Sequence, residues 1–596
     1  MLKGIRWQFT ALVLAVILLG AAIALQPAPE PAIQSTQPPP TATLPATPTV
    51  ALQPLAPRDI SAPVTLREGV VGQPHRLSPF FTTLNPVDRD IASLIFEGLV
   101  GTNAYGEYIP RLAEEWVISD DGLEYVFRLR QDVLWQDGVP FTAADVVTTF
   151  NLLQAPGDAL PESLTEFWRT VEIELLDEYT VRFRLAQPLA AFLDYARMGI
   201  VPAHVFANIS AEQLATHPFN LSPIGTGPYQ LERITGDETG ISSVSLRVAP
   251  VYRQRPEGQG GYQIERLVFR MYETEDAAFE ALRNGEIDAL GGVHRPDLNQ
   301  IEQTGLVQTH IALEPTIGVV LFNWESENTL AFRDQRARLG LILGTDREGV
   351  VNRHLAGSGV LADSPIVPGS WAYDGPILWP AYDPQEAMQL LSEVNFAPPA
   401  PQATATPETE PTAEATPEPD ITPTPTEPPP AFDFTLLVDD DPARAALAAD
   451  LVAQWQQLGL RVQLETVTLP VLQERLEAGA FDTALAELTL SPRVDPDPYV
   501  FWHQGQYPDG QNYAGINDRR SSELLELARR DPNGIHRAEY YAEFQRVFVN
   551  RGLALLLYYP AYQYAVTAKL EGVELGYLST PADRFYSLRQ WMMPGT

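Results

Sequence analysis

Between Ile118 and Phe150 the chain permits very few folds, because two kinds of periodicity and two turn signals are packed into one short stretch. Asp120-Asp121-Gly122 is a turn, since Asp tolerates the bend and Gly supplies a positive φ without steric cost. Tyr125, Phe127 and Leu129 then alternate with Val126, Arg128 and Arg130, the period-2 pattern of a strand with one polar-leaning face. Val133-Leu134-Trp135 is a second short apolar run, closed by the tight-turn signal Gln136-Asp137-Gly138. Thr142 opens a helix, with its hydroxyl placed to cap the first turn and Asp145 placed to complete a capping box. The order predicted is strand, turn, strand, turn, capped helix, which is a piece of mixed α/β structure.

The same logic extends along the chain. Val64 to Val71 reads as a first strand, and Asn85 caps a helix that has Pro86 at its first position. Glu172 to Leu185 alternates about Asp177-Glu178-Tyr179 as a hairpin, and Ala191 to Tyr195 starts a helix. Gly225-Thr226-Gly227 is followed by Pro228 and Tyr229 with no Lys-Ser/Thr pair, so it is a tight turn feeding a strand and not a phosphate loop. One unit occurs twice: Asp276 to Arg283 is helical, Gly285 stops it and Ile287-Asp288-Ala289-Leu290 follows. Later Gln473 to Ala478 is helical, Gly479 stops it and Phe481-Asp482-Thr483-Ala484-Leu485 follows. This is either convergent cap chemistry or the mark of two lobes of similar construction. Further on, Val319 to Trp324, Phe432 to Val438 and Leu460 to Val467 read as strands. Ala445 to Leu458 reads as an amphipathic helix, and helices start at Ser521 and Ile535. Leu553 to Tyr559 is a strand followed by a separate run, Ala565 to Ala568.

Composition closes several functional classes. There is no cysteine among 596 residues, which removes disulfide frameworks, thiolate metal sites, thiol catalysis and a lipobox anchor together. The eight histidines are scattered with no pair at i, i+4, so no metal site is expected. A net charge of −36 repels phosphate backbones and argues against nucleic-acid binding. No G-x-S-x-G, H-E-x-x-H or Cys–His arrangement supports a hydrolase, so no enzyme and no cofactor are expected. Lys3 and Arg6 precede an apolar run, Ala11 to Leu25, making residues 1–25 a signal peptide or a signal anchor. Residues 26–63 are rich in Pro, Thr, Ala and Gln and read as a disordered stalk holding the body off the membrane. Residues 397–430 have similar composition and read as a disordered surface insertion.

Several runs carry a resemblance. They are Pro110-x-Leu112-Ala113-Glu114-x-Trp116, Ser119-Asp120-Asp121-Gly122-Leu123-x-Tyr125-x-Phe127-x-Leu129-Arg130, and Asp137-Gly138-x-Pro140-Phe141-Thr142-Ala143-x-Asp145-Val146-Val147. With Gly225 to Tyr229 and the stretch from Phe332 to Arg347, they make the chain similar to the family 5 extracytoplasmic solute-binding proteins of ABC importers, the oligopeptide and dipeptide receptors. The resemblance runs from about Val64 to Trp591, outside the insertion.

It implies an α/β, two-lobed fold of the periplasmic binding-protein kind (type II, large three-domain form), with a hinge and a ligand cleft between lobes. Lobe I would comprise 64–107, 216–312 and 569–596, with an extra subdomain at 108–215, and lobe II would comprise 313–568. The implied partners are a short peptide or other small solute, a membrane permease with its ATPase, and the membrane itself through the N-terminal segment. The place of work is outside the cytoplasm. Peptide capture calls for a carboxylate facing the α-ammonium. Asp495, then Asp497, lie where the family's peptide receptors place that residue; either or both can instead cap the helix beginning near Pro498. Phe322, Asn323 and Trp324 would line the opposite wall, with Trp502 and Tyr559 as further aromatic candidates. The alternatives are the same fold holding an oligosaccharide or a metal complex, or an anchored ligand sensor; nickel is disfavoured because the histidines do not cluster.

Overall fold

A computed structural model describes residues 63–155, 160–258, 261–293, 298–394 and 432–593. The N-terminal export segment, the stalk and the insertion expected at 397–430 lie outside these residues. Local capping sets the helix starts as the residues predict. Asn85 Oδ1 accepts the Val87 N–H at the start of the helix Pro86–Ile95, and Thr142 with Asp145 forms a reciprocal capping box on Ala143–Gln154. Val133-Leu134-Trp135, expected as a strand, makes only an isolated bridge, Leu134 to Pro140, across its turn. Trp135 is fully buried beside Phe141, so the apolar run serves as a core plug under the loop. The four strands Ala113–Ile118, Glu124–Leu129, Thr180–Arg184 and Glu172–Asp177 form one antiparallel sheet.

The repeated helix–Gly–strand unit is used the same way twice. Gly285 and Gly479 end the helices Glu275–Arg283 and Leu469–Glu477 with φ of 70° and 63°, where a Cβ would be strained. The aspartate that follows then accepts a backbone N–H from the neighbouring parallel strand. Asp288 takes that of Arg67 at 2.9 Å, beside strand Ala289–Gly291, and Asp482 takes that of Thr435 at 3.1 Å, beside strand Thr483–Thr489. Each carboxylate therefore closes the open end of a parallel strand pair, and each belongs to a different core.

The described residues form separate hydrophobic clusters. One gathers Leu66 to Phe269 with Tyr562 to Trp591, a second gathers Ile317 to Tyr559, and a smaller third gathers Ala278 to Val307 with Ala565 on the first lobe's side. The strand Leu555–Thr567 belongs to the first two. Its first half pairs with Thr316–Phe322 and Gly359–Leu361, its second half with Val307–Leu313 and Ala289–Gly291. This run, expected as two pieces broken near Pro560, is one strand of 13 residues. Proline lacks an N–H, but at this position the strand is exchanging neighbours and only the Pro560 carbonyl is needed, accepting from Glu314 N–H at 3.0 Å. The outgoing chain turns at Glu314-Pro315, almost opposite. The two connections between cores therefore lie side by side, each with a proline at its midpoint, which is a hinge.

The end of the chain returns to the first core. Arg584, almost wholly buried, pairs with Glu68 at 2.9 Å and Asp90 at 2.7 Å, while Tyr564 donates to Glu68. Among the described residues, no helix is long and apolar enough to cross a membrane.

Candidate functional site

The hinge leaves the two cores facing one another, and the loop Leu490–Pro498 of the second reaches the helix Phe192–Tyr195 of the first. Asp194, on that helix, accepts the backbone N–H groups of Val494 and Asp495 at 3.1 and 2.9 Å. Ala190 N–H donates to the Arg529 carbonyl at 3.0 Å across the same boundary. Beside these contacts lies a cavity of about 830 Å³, walled by Pro79 to Arg111 and the helix at Asp194 on one side and by Thr489 to Val500 with Arg529 on the other. The wall includes the aromatic residues Trp168, Tyr195, Tyr252, Tyr262 and Tyr577.

Glycine permits close approach at two points nearby. A Cβ on Gly225 would sit 1.8 Å from the Ile95 carbonyl oxygen, so the Gly225-Thr226-Gly227 turn owes its glycines to close approach. A Cβ on Gly101 would meet Arg111 Nε at 2.6 Å; the bare backbone there lets the Arg111 side chain lie along the cavity wall.

Every acidic group on the cavity wall already has donors. Glu97 pairs with Arg255 at 2.8 Å, and Asp583 accepts from Ser579 N–H, Ser579 O–H and Thr580 N–H. Asp194 is held by the two loop amides, with Arg197 at 3.5 Å. Asp497 lies 3.2 Å from Arg529 Nε and accepts the Tyr499 N–H from one residue ahead of Pro498, the N-cap of the short helix Tyr499–Trp502. Burial pushes the carboxyl groups of Asp194 and Asp497 above the usual range, with Arg197 and Arg529 respectively pulling back.

The residues singled out in the sequence are dispersed by the fold. Asp497 is on the cavity wall. Asp495 stands just behind it, fully buried, with Oδ1 accepting from Arg537 at 2.7 Å and Oδ2 without a hydrogen-bond partner. The Tyr108 hydroxyl is also buried without a partner; burial raises its pKa, and the charges of Asp194 and Asp495 add to the rise. Phe322, Asn323, Trp324, Trp502 and Tyr559 are absent from the wall. Phe322 is buried against Phe332, and Asn323 fastens the strand end, donating to the Gly479 and Phe481 carbonyls and accepting from Glu325 and Ser326. Trp324 lies under the Arg338 guanidinium, Trp502 packs edge-on against Phe548, and the Tyr559 hydroxyl donates to the Ser364 carbonyl. Apolar character drew attention to these aromatic side chains, and the same property buries them. Arg111, Asp194, Arg493 and Arg529 reach the cavity without any motif to mark them. Among the described residues no group of three or more His, Asp or Glu is arranged to hold a metal ion.

The chain is similar to known proteins over most of its length. The oligopeptide-binding protein AppA of Bacillus subtilis is 23% identical over 534 residues, covering 88% of this chain and 91% of its own. The dipeptide-binding protein of Escherichia coli is 24% identical over 522 residues, covering 82% and 87%. The crystal structure of the ABC transporter substrate-binding protein CtaP from Listeria monocytogenes superposes with a TM-score of 0.70 at 21% identity, covering 89% of this chain and 100% of that one. The fold is thus the two-lobed, type II binding-protein fold with its cleft between lobes. The family description "Bacterial extracellular solute-binding proteins, family 5 Middle" matches residues 107–511. Its members are extracytoplasmic substrate-binding components of ABC transporters and not enzymes. With that match running through most of the chain, the protein belongs to the family 5 bacterial extracellular solute-binding proteins.

Proposed function

We propose that this protein captures short peptides in the cleft between its lobes and delivers them, unaltered, to a membrane permease driven by an ATPase. The observation that carries the reading is the cavity of about 830 Å³ bordered by Asp497, with the buried Asp495, one oxygen of which lacks a hydrogen-bond partner, two residues before it in the same loop. Its size falls within the roughly 300–1,000 Å³ of ligand pockets. A buried acceptor without a donor is costly, and a peptide ammonium is a donor of the right charge. Two relatives carry peptide-binding names, oligopeptide for one and dipeptide for the other. Lobe I is taken as 64–107, 216–312 and 569–596 with the subdomain 108–215, lobe II as 313–568, and the N-terminal segment as the membrane tether.

Calorimetry with di- and tripeptides tests this directly. Binding without turnover is expected, and Asp495→Asn should weaken it by about 1–3 kcal/mol if the open oxygen receives the ammonium. Unchanged affinity in Asp495→Asn and in Asp497→Asn would remove both carboxylates from the site. The exposed Tyr586 ring on the wall favours one second reading, an oligosaccharide stacked on it. Tight sugar binding with no peptide binding would select it.

A further inference from the structure

Resting on solute capture in this cleft, we infer that Asp194 is a positioning residue for ligand binding: reaching across from the first lobe, its carboxylate sets the loop that carries Asp495 and Asp497 into its binding form when the lobes shut. The backbone of that loop is tied to its own lobe at the ends. Leu490 N–H donates to the Pro315 carbonyl and Arg493 N–H to the Leu490 carbonyl at the start, and Tyr499 N–H donates to Asp497 at the finish. In between, the amides of Val494 and Asp495 are taken by the two oxygens of Asp194, one each, at 3.1 and 2.9 Å. The backbone of Asp495 is thus held from one lobe and its side chain, through Arg537, from the other. Asp497 is reached from the same side indirectly. Its partner Arg529 accepts, through its carbonyl, the N–H of Ala190, just before Asp194 in the chain.

Holding two surfaces together is a poor account of this carboxylate. The guanidinium paired with it, Arg197, stands off at 3.5 Å and is shared with Ser579, Asp583 and the Pro492 carbonyl. Burial pushes the Asp194 carboxyl above its usual range, with Arg197 opposing the rise and the Asp495 charge adding to it. An apolar side chain would join the same surfaces at lower cost. A carboxylate does what an apolar group cannot: it fixes successive backbone N–H groups, and with them the course of the chain at Asp495. With the lobes apart those amides face water and the loop loses the restraint. The ligand's carboxylates are therefore set in place by the same movement that encloses the ligand.

Calorimetry on the full chain with trialanine and N-acetyl-trialanine tests this, because the pair differs in the ammonium that Asp495 and Asp497 would face. The unsubstituted protein should favour trialanine by about tenfold or more. Asp194→Ala should bring the two affinities to within about twofold of one another, beyond any loss common to both. Asp194→Asn keeps one acceptor oxygen and should fall between. A contact that only holds the lobes shut would weaken both ligands alike and leave the preference intact; that result would overturn the inference while capture stands. Equal binding of the pair by the unsubstituted protein would overturn it too, by taking the carboxylates out of ammonium recognition. Binding of neither would overturn the capture reading itself. Where a variant folds poorly, hydrogen exchange at the Val494 and Asp495 amides of the unsubstituted protein decides the matter. It should slow about tenfold or more when trialanine saturates the cleft, and an unchanged rate would overturn the inference.

Discussion

Arg537 holds one oxygen of a carboxylate that has no solvent around it. Removing the guanidinium leaves the buried Asp495 without its ion-pair partner, so Arg537→Leu should destabilise the protein by about 3–5 kcal/mol in urea unfolding. Pairing it with Asp495→Leu should restore much of the loss; a single variant with unchanged stability would show the pair to be dispensable. His503 is a second residue with a readable consequence. Its Nδ1 accepts the Gly505 N–H at 3.0 Å, which leaves Nε2 to donate to Glu526, and burial lowers its pKa from the ordinary 6.5. The folded state thus binds its proton less readily than the unfolded chain. Its contribution to stability is complete above 6.5 and is lost as pH falls below that value. The melting temperature should drop on acidification in that range, and His503→Gln should flatten the drop. At this scale the sequence marks Asp495 and Asp497 through a local run of Asp and Pro. It cannot mark their partners, because Arg537 is 42 residues away and Asp194 is 301 residues away, and pairing at such separations belongs to the fold.

Elements were legible where their chemistry is local. Caps at Asn85 and Thr142 and the two helix-ending glycines all appear where the residues place them, since each depends on neighbours within one turn. The strand Leu555–Thr567, read as Leu553 to Tyr559 followed by Ala565 to Ala568, is instead continuous, because it changes neighbours at Pro560, where a proline is tolerated. Likewise Val133 to Trp135 has a strand's composition, but its apolar side chains are used to fill a core beneath a loop. The glycine caps give the sharpest test of an element. Gly285→Ala and Gly479→Ala force a side chain into the left-handed region and should each cost about 1 kcal/mol. Gly534 starts the helix Gly534–Arg551 with a negative φ and open space around it, so Gly534→Ala should be neutral or stabilise by up to about 1 kcal/mol. Equal effects of all three substitutions on thermal unfolding would rule out positive φ as the reason for the caps.

Across the whole molecule the same few contacts decide whether the lobes are open or shut. The hinge has two strands, and opening at Pro315 and Pro560 breaks little of either sheet, because both strands change neighbours there. On the cleft side the lobes meet through the Asp194 carboxylate on two loop amides, the Ala190–Arg529 backbone bond, the Arg197–Pro492 contact at 3.5 Å and the buried Val494. Asp194 is costly to bury, as its raised pKa records, so its net hold is far smaller than two charge-assisted bonds would suggest. A latch of that strength suits a receptor, since ligand binding energy need only add modestly to it to tip the balance. Asp194→Ala should then shift the ligand-free protein toward the open form, seen as a larger radius of gyration in small-angle scattering. It should also weaken ligand binding by about tenfold, near 1.4 kcal/mol, by taxing the closed population. Saturating ligand should return the variant to the compact dimensions of the unsubstituted protein. If scattering were the same for both proteins with and without ligand, Asp194 would hold no latch, and closure would have to be driven from the hinge itself.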